Sequence, residues 1–484
     1  MAVNFSFLYL IYFSLLLFTI YRIILDTHST SKTLAYIMLV VFVPLAGMIV
    51  YFSFGINYRH HRYNKGAIAI QRELDRTYQK EINDETEDLL RKYRAEIDHF
   101  ADLVAFQHNA MGEFLNENSF QLLENGEEKF PEVIKSLNMA QHFIHMEYYA
   151  WEDDTRGNQI KDILLQKAKE GVKVRVLYDD FASGSIRKNI VRSLQNGGVE
   201  IYPKIKVKIR QLANRLNHRD HRKIIIIDGT IGFLGGINIS DRYDNSIDTG
   251  LYWRDTHVKF TGPLVYNLQR HFIVSWNMAQ NEKLIYSNFL FPKVRVSKIS
   301  GSLGVAQLMA GGPNYPLSTI MLTYFKLFTL AREKLYITNP YFIPNDSILD
   351  ALKQAALSGT DVRILIPAKS DSVIVGAASK FYFKELLQAG VRVFLYKKGF
   401  VHAKTVVADG KASIVGTANM DIRSFDLNFE ILSVIHSKDF GKKMEQMFLN
   451  DLNESVEITK ADYEDQHWSK PIIYATARLI SSFL

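Results

Sequence analysis

The sequence predicts an α/β protein made of two homologous halves packed around one active site and preceded by an N-terminal two-helix transmembrane hairpin. Three observations lead to this prediction. The N-terminus carries two long apolar stretches, short β-branched runs alternate with amphipathic stretches from about Gly112 onwards, and three blocks of sequence recur in the same order. Such alternation is typical of helices packed on buried sheets. We divide the chain into the hairpin (1–58), charged linker helices (59–111), a first half (112–300), a second half (301–460) and a C-terminal amphipathic segment (461–484).

The N-terminal hairpin is predicted from Val3–Tyr21 and Thr33–Gly55, which contain no charged residue. Each is close to the roughly 20 residues that cross a bilayer core. A cleaved signal peptide is the alternative for the first stretch, but no basic segment precedes it and a second apolar stretch follows closely. Arg22 and Lys32 flank the turn, but no Lys or Arg precedes the first stretch and a run of basic residues follows the second, so we expect a multi-pass protein of the cell membrane with its large C-terminal part on the cytoplasmic side. These basic residues are Arg59, Arg62, Lys65, Arg72 and Arg76.

Composition excludes some chemistry. The chain has 484 residues, a formal net charge of +7 and no cysteine. Thiol nucleophiles, disulfides and zinc–thiolate sites are therefore excluded. A mild basic excess suits anionic partners such as lipid headgroups or nucleic acid without choosing between them.

The repeat is clearest in its third block. HRKIIIIDGTIGFLGGIN at 221–238 is matched by HAKTVVADGKASIVGTAN at 402–419, and in both copies the first His lies 17 residues before the last Asn (238 − 221 and 419 − 402). The pattern shared by the two copies is His-x-Lys, four residues, then Asp. Its members are His221, Lys223, Asp228 and Asn238 in the first copy and His402, Lys404, Asp409 and Asn419 in the second.

These residue types suit phosphodiester chemistry. On a strand, a His and a Lys two residues apart face the same side. An imidazole can attack phosphorus or transfer a proton, and an ammonium group holds phosphate oxygens. Two such sets facing one another supply one His to attack and one to protonate the leaving oxygen. Asn238 and Asn419 would add amide donors to phosphate, whereas Asp228 and Asp409, which follow buried strands, are interpreted as fixing local hydrogen bonds.

The two motifs resemble the signatures of the phospholipase D superfamily, and further segments resemble the bacterial cardiolipin synthases. These segments are LNHRDHRKIIIIDGTIGFLGGINISDRY (216–243), YWRDTHVKFTG (252–262), TNPYFIPN (338–345), GTANMDIRSFDLNFE (416–430) and the apolar stretch at 35–55. The resemblance covers nearly the whole chain.

The resemblance implies an enzyme that joins two phosphatidylglycerols into cardiolipin and glycerol through a phosphatidyl-histidine, with no cofactor and no metal. By analogy with the superfamily, His221 is the nucleophile. Glu430 and Glu147 are candidates to orient an imidazole through its Nδ1 atom, whereas Arg254 and Asp255 are interpreted as a structural pair. The expected partners are phosphatidylglycerol, cardiolipin and the bilayer, and not nucleic acid.

Three alternative functions use the same residues. A hydrolytic phospholipase D would replace the lipid hydroxyl by water, and a membrane-tethered nuclease would need a basic groove. A catalytically inactive scaffold would be expected to have lost a His or a Lys from one motif, and neither is lost. The C-terminal stretch Ile472–Leu484 is expected to form an apolar-rich helix that either enters the bilayer or docks on the catalytic part.

Overall fold

The computed structural model describes residues 5–27, 30–55, 86–205, 218–294, 296 and 301–481. Both halves contribute to one sheet of 15 strands. The strands of the first half are β1 Asn116–Glu124, β2 Phe143–Tyr148, β3 Lys173–Tyr178, β4 Glu200–Pro203, β5 Lys223–Ile227, β6 Ile231–Gly235, β7 Trp253–Arg254 and β8 Thr256–Thr261. Those of the second half are β9 Ser302–Gly311, β10 Lys334–Thr338, β11 Phe342–Ile343, β12 Asp361–Pro367, β13 Arg392–Tyr396, β14 Phe400–Val401, β15 Thr405–Ala408, β16 Ala412–Gly416, β17 Met420–Asp421, β18 Glu430–His436 and β19 Ser455–Ile458.

The order of the strands confirms the internal duplication. From its outer edge inward, the first half runs β4-β3-β2-β5-β6-β8-β1 and the second runs β13-β12-β10-β15-β16-β18-β9, with β19 added outside β13. The two halves therefore have the same topology, and they meet where β1 pairs antiparallel with β9. Two small sheets, β11 with β17 and β7 with β14, lie outside this order.

Helices cover both faces of the sheet, which explains the apolar strands. Every residue of β5 is buried, as expected for a strand covered on both sides. The helices are α1 Phe5–Asp26, α2 Thr30–Phe42, α3 Pro44–Val50, α4 Arg94–Ile97, α5 Ala101–Met111, α6 Asn125–Met139, α7 Thr155–Lys169, α8 Ile190–Asn196, α9 Leu264–Ala279, α10 Thr319–Leu330, α11 Asp346–Leu357, α12 Val373–Phe381, α13 Phe383–Gln388, α14 Ile422–Asp426, α15 Lys438–Asn453, α16 Lys460–Glu464 and α17 Ser469–Ser481.

The N-terminal segment differs from the predicted pair of spans. Within the described residues, one helix is long and apolar enough to cross a membrane, over Phe7–Asp26. The second predicted span is broken at Val43, where the following Pro44 begins a new helix, and α2 is only 13 residues long. Gly47 lets α3 fold back on α2, since a Cβ at that position would lie 2.6 Å from the Leu39 carbonyl oxygen. A hairpin of two continuous spans is therefore not confirmed.

The linker and the C-terminal segment both pack on the catalytic part. The linker prediction at 59–85 lies outside the described residues. Further along, Ile97 and Val104 form a small apolar cluster with Val305 of β9. At the other end of the chain, Tyr474 and Ala477 of α17 are buried, and α17 packs against α12.

Candidate active site

Each motif histidine lies against the opposite half of the chain. The backbone N–H of His221 donates to the carbonyl oxygen of Phe429 at 3.0 Å, and that of His402 donates to the carbonyl oxygen of Arg254 at 2.7 Å. Each motif is thus hydrogen-bonded to the other half of the chain, just before its own strand, β5 or β15. The duplicated motifs consequently form one site rather than two.

His221 is held by two groups of the second half. Its Nδ1 atom lies 2.9 Å from the carbonyl oxygen of Thr417 and 3.1 Å from the carboxylate of Glu430. A carbonyl oxygen only accepts, so Nδ1 carries the hydrogen and Nε2 of the neutral ring keeps its lone pair. Burial lowers the pKa of His221, although Glu430 opposes this shift. The ring of Tyr149 packs edge-on at 4.6 Å between ring centres.

His402 is held by a carboxylate of the first half. Its Nδ1 atom lies 2.7 Å from Oδ2 of Asp255. Burial lowers the pKa of His402 to about 3, and the neighbouring Lys404 adds to this shift while Asp255 opposes it. Burial disfavours the ionised form of Asp255, yet the pKa of this carboxyl is below its ordinary value because of His402 and Lys404. Trp253 and Tyr243 pack edge-on against the His402 ring.

The two motif lysines lie beside the histidines. Lys223 Nζ donates to the carbonyl oxygen of His221 at 2.6 Å, and Lys404 Nζ donates to that of His402. Burial lowers the pKa of Lys223 to about 7 and that of Lys404 to about 8. The charge of Lys404 further lowers the pKa of Lys223. Two buried ammonium groups repel one another, so a bound anion between them is stabilised.

The two asparagines have different surroundings. The Asn238 amide donates to the Tyr243 hydroxyl at 2.7 Å and accepts from the backbone N–H of Ala150 at 3.1 Å. The side-chain oxygen of Asn419 is buried and has no hydrogen-bond partner among the described residues. Phosphate binding through the amide N–H groups of Asn238 and Asn419 stays a prediction, because the unpartnered atom of Asn419 is the oxygen, which only accepts.

Comparison with known proteins identifies the chain's relatives. The family model described as "Cardiolipin synthase, PLD-like domain" matches residues 133–276 and 324–452, one match in each half. The chain belongs to the cardiolipin synthase family. It is 39% identical to cardiolipin synthase 2 of Bacillus anthracis, over 96% of this chain and 88% of that protein. It is 36% identical to the major cardiolipin synthase of Bacillus subtilis, over 97% of each chain. The N-terminal residues 14–55 match a model described as "Phospholipase_D-nuclease N-terminal".

The fold has a more distant structural neighbour. The crystal structure of phosphatidylserine synthase from Haemophilus influenzae superposes with a TM-score of 0.56, at 15% identity, over 79% of this chain and 97% of that one. This likeness supports the phospholipase D-like α/β fold. As a member of the cardiolipin synthase family, the protein is a phosphatidyltransferase.

The motif aspartates lie away from the lysines and histidines. Asp228 accepts hydrogen bonds at 2.8 Å from the backbone N–H groups of Gln141, His142 and Phe143, just before β2. Asp409 makes the same contacts with residues 332–334 before β10, at 2.8 to 3.0 Å. Both aspartates follow their strand, so the length of β5 or β15 separates them from the motif Lys. Although Asp228 and Asp409 belong to the motifs predicted to be catalytic, they tie a turn to a neighbouring strand, in line with their interpretation as residues that fix local hydrogen bonds.

Glu147 does not have the expected surroundings. Its carboxylate lies 2.6 Å from Lys204 Nζ, and Lys204 also contacts Asp220 at 3.0 Å. Arg222 approaches Glu147 to 3.7 Å. Burial disfavours the ionised carboxylate, but Lys204 and Arg222 lower the pKa of Glu147 below its ordinary value. Glu147 therefore belongs to a buried ion network, and its candidacy as an imidazole-orienting residue is corrected.

The residue that sequence reasoning missed is Asp255. Arg254 and Asp255 do not form a salt bridge with one another: Arg254 contacts Asp451 at 2.8 Å, and Asp255 contacts His402. In the duplicated topology, Asp255 directly precedes β8, and Glu430 is the first residue of the equivalent strand β18. A signal was present, because each half has a carboxylate at or directly before the start of its equivalent strand, β8 or β18. It was weak, since that carboxylate lies 17 residues after Asn238 and 11 after Asn419.

Proposed function

We propose that this protein synthesises cardiolipin by transferring a phosphatidyl group from one phosphatidylglycerol to another, through a phosphatidyl-histidine. The observation that carries the proposal is the crossed pairing of the two histidines. Nδ1 of each ring is engaged by a carboxylate of the opposite half, at 3.1 Å for Glu430 and 2.7 Å for Asp255. Both Nε2 atoms are therefore left for chemistry on a phosphodiester.

The first step forms the covalent intermediate. Nε2 of His221 attacks the phosphorus of one phosphatidylglycerol, and the bond from phosphorus to the glycerol oxygen breaks. His402, protonated at Nε2, gives its proton to that oxygen, so glycerol leaves neutral. Lys223 and Lys404 stabilise the negative charge on the phosphoryl oxygens, together with Asn238 and Asn419.

The second step is the same exchange in reverse with a new alcohol. The terminal hydroxyl of a second phosphatidylglycerol gives its proton to Nε2 of His402 and forms a bond to phosphorus. The bond between His221 and phosphorus breaks, which frees the enzyme and releases cardiolipin. One phosphodiester replaces another, so no nucleotide and no metal enter the balance.

The roles of the two histidines follow from their contacts. His402 has the shorter contact to its carboxylate, which favours the imidazolium form required of the acid. His221 shares Nδ1 between a neutral carbonyl and Glu430, which favours the neutral ring required of a nucleophile. Because burial and Lys404 lower the pKa of His402 to about 3, protonation of this ring depends on the negative charge of the substrate phosphate.

A lipid assay tests the proposal. The purified protein in vesicles of labelled phosphatidylglycerol, without nucleotide, is expected to produce cardiolipin and glycerol in equal amounts. His221→Ala and His402→Ala are expected to abolish both products, whereas His142→Ala, at an exposed histidine outside the site, is expected to leave them unchanged. Rapid quenching in denaturant at mildly alkaline pH, where a phosphorus–nitrogen bond survives, should trap labelled phosphatidyl-enzyme in wild type and not in His221→Ala. Phosphatidic acid as the only lipid product would mean that the enzyme is a hydrolase.

The membrane arrangement is a further part of the proposal. We propose that the N-terminal segment crosses the cell membrane twice and leaves the catalytic part in the cytoplasm. Because the chain has no cysteine, single cysteines report exposure directly. Lys32→Cys in the N-terminal segment is expected to react with a membrane-impermeant maleimide on intact cells, and Lys398→Cys only after lysis. Reaction of Lys398→Cys on intact cells would reverse the orientation.

A further inference from the structure

The C-terminal helix α17 has two apolar faces, and only one of them is covered. Tyr474 and Ala477 point into the catalytic part and are buried. On the other side, four large apolar side chains at and before α17 face outward, and we call them the apolar C-terminal face: Trp468, Ile472, Ile473 and Leu479, with exposures of 53 to 73%. Several large exposed apolar side chains on one short helix indicate an interaction site.

This face is joined to the rim of the active site. α17 packs on α12, with the Arg478 guanidinium 4.3 Å from the centre of the Phe381 ring. α12 begins at Val373, whose side chain is 88% exposed. Two residues earlier, Asp371 accepts a hydrogen bond of 2.5 Å from the Tyr341 hydroxyl. The Tyr341 ring packs near Phe400, which in turn packs near His402.

The charge on α17 and α12, which carry basic residues and no acidic one, indicates the kind of partner. Lys470 and Arg478 lie on α17 itself, and Lys380 lies on α12 close enough to Lys470 for the two charges to interact. Large apolar side chains flanked by basic ones, with a tryptophan at the border, suit the boundary between headgroups and acyl chains of an anionic bilayer. The same chemistry is less suited to a protein partner, for which basic flanks are not required.

We propose that the apolar C-terminal face, together with Val373, inserts shallowly into the anionic membrane that holds the substrate lipid. Docking there brings the Tyr341 side of the active-site rim to the lipid surface. A phosphatidylglycerol can then move from the bilayer to His221 and His402 without its acyl chains leaving an apolar environment. The inference rests on the proposed function for its choice of lipid, but not for the contact with the membrane itself.

Tryptophan fluorescence tests the contact directly. All four tryptophans of the chain lie in the described residues, and Trp468 is 73% exposed whereas Trp151, Trp253 and Trp276 are buried. The full chain is reconstituted in phosphatidylglycerol/phosphatidylcholine vesicles with or without brominated acyl chains. Brominated lipid is expected to quench a component of the emission that is missing in Trp468→Phe. Because α1 contains no tryptophan, the N-terminal helix does not contribute to this signal.

The other outcomes of this measurement overturn the proposal. Quenching of Trp468 by aqueous acrylamide but not by brominated lipid would mean that the face points into water. Protection from both quenchers would mean that protein covers the face, either a second copy or another partner. Neither readout depends on turnover, so a failure of the proposed reaction and a failure of membrane docking are distinguishable.

A pair of variants tests the consequence for activity. Ile472→Asp combined with Ile473→Asp is expected to lower activity on vesicles about tenfold or more, with little change on short-chain phosphatidylglycerol below its micellar concentration. Leu357→Asp is the matched control, since Leu357 is 74% exposed at the end of a different helix, α11. Equal losses in the control and the double variant, or equal losses on both substrates, would contradict the proposal. Unchanged thermal unfolding establishes that the double variant is folded.

Discussion

The two halves of the molecule have the same strand order but different contacts to their histidines. His402 has one short hydrogen bond, to Asp255 of the first half. His221 has two longer ones, to the Thr417 carbonyl and to Glu430 of the second half. Duplication alone would give equal sites, so this difference supports the proposal that the two histidines have different tasks. It supports His402 as the acid and base and His221 as the nucleophile.

A second difference explains how each carboxylate reaches its ring. Gly236 stands where the second half has Thr417, two residues before the motif Asn in both cases. A Cβ at Gly236 would lie 2.1 Å from Oδ1 of Asp255, so the shorter aspartate depends on this glycine. In the second half, the Thr417 hydroxyl donates to Glu430 at 2.5 Å and holds the longer side chain. The first half combines a glycine with an aspartate, and the second half combines a threonine with a glutamate. Both combinations place a carboxylate beside the Nδ1 atom of a motif histidine.

The largest expected effect is that of removing the Asp255 charge. Asp255→Asn would leave His402 without a carboxylate to stabilise the imidazolium, and we expect a loss of about 10²–10⁴ in kcat. Glu430→Gln should cost less, because the Thr417 carbonyl still fixes the His221 tautomer. Initial rates of cardiolipin formation by the two variants measure the difference. Equal losses would remove the argument for different roles.

Asp255→Asn is also expected to slow a particular step, the formation of the covalent intermediate. Trapping of labelled phosphatidyl-enzyme in mildly alkaline denaturant is expected to show less intermediate in Asp255→Asn, because glycerol then leaves without an efficient acid. The Asp451→Asn variant is the matched control, since Asp451 contacts the neighbouring Arg254 and not His402. A comparable loss in Asp451→Asn would attribute the effect of Asp255 to packing.

Substitutions at Gly236 and Thr417 are expected to give the next largest effects. Gly236→Ala is expected to displace Asp255 and lower kcat by about 10²-fold, because its Cβ has no room beside that carboxylate. Thr417→Ala removes one hydrogen bond to Glu430 and is expected to cost about tenfold. Thr417→Ser, which keeps the hydroxyl, is the control. A mild Gly236→Ala phenotype would show that Asp255 can reach His402 along another path.

The motif lysines predict how activity depends on pH. Their pKa values are lowered to about 7 for Lys223 and about 8 for Lys404. The charged form that holds phosphate is present below these values and is lost as the pH rises through them. We therefore expect kcat/KM for phosphatidylglycerol, which reports the free enzyme, to fall as the pH rises through about 7 to 8. The corresponding fall in kcat should lie at higher pH, because bound phosphate favours the ammonium form. Lys223→Arg should move this limb to higher pH, and a flat profile up to pH 10 would contradict the assignment.

The sequence was sufficient for residues within one motif and insufficient for contacts between halves. His221 and Lys223 are two apart on a strand, so their common direction follows from local geometry. Asp255 and His402 are 147 residues apart and meet only because β7 pairs with β14. Glu147 was misjudged for the same reason, since its partner Lys204 lies 57 residues away along the chain. Burial of a carboxylate can be predicted from a strand pattern, but not which cation neutralises it.

The N-terminal segment illustrates a different limit. Pro44 and Gly47 are tolerated in membrane helices, so composition could not distinguish a continuous second span from two short helices. The break depends on the conformation of Val43 and on the close approach of Gly47 to Leu39. Neither has a signature in the apolar pattern. The duplicated fold was predictable because three blocks in the same order leave few alternatives.

The smallest expected effects concern the motif aspartates and affect stability rather than chemistry. Asp228→Asn and Asp409→Asn each weaken a cluster of three backbone hydrogen bonds, and we expect a loss of about 1–3 kcal/mol in the free energy of unfolding. Asp409 also contacts Nε2 of His99 in the linker at 2.8 Å, a contact for which Asp228 has no counterpart among the described residues. Asp409→Asn should therefore be the more destabilising of the two, and His99→Ala should reduce that difference. Denaturant unfolding of the reconstituted enzyme measures all three variants, while kcat of the folded fraction should remain within about twofold of wild type. A loss of kcat in either aspartate variant without a loss of stability would return these residues to the catalytic set and would place the chemistry at both ends of β5 and β15.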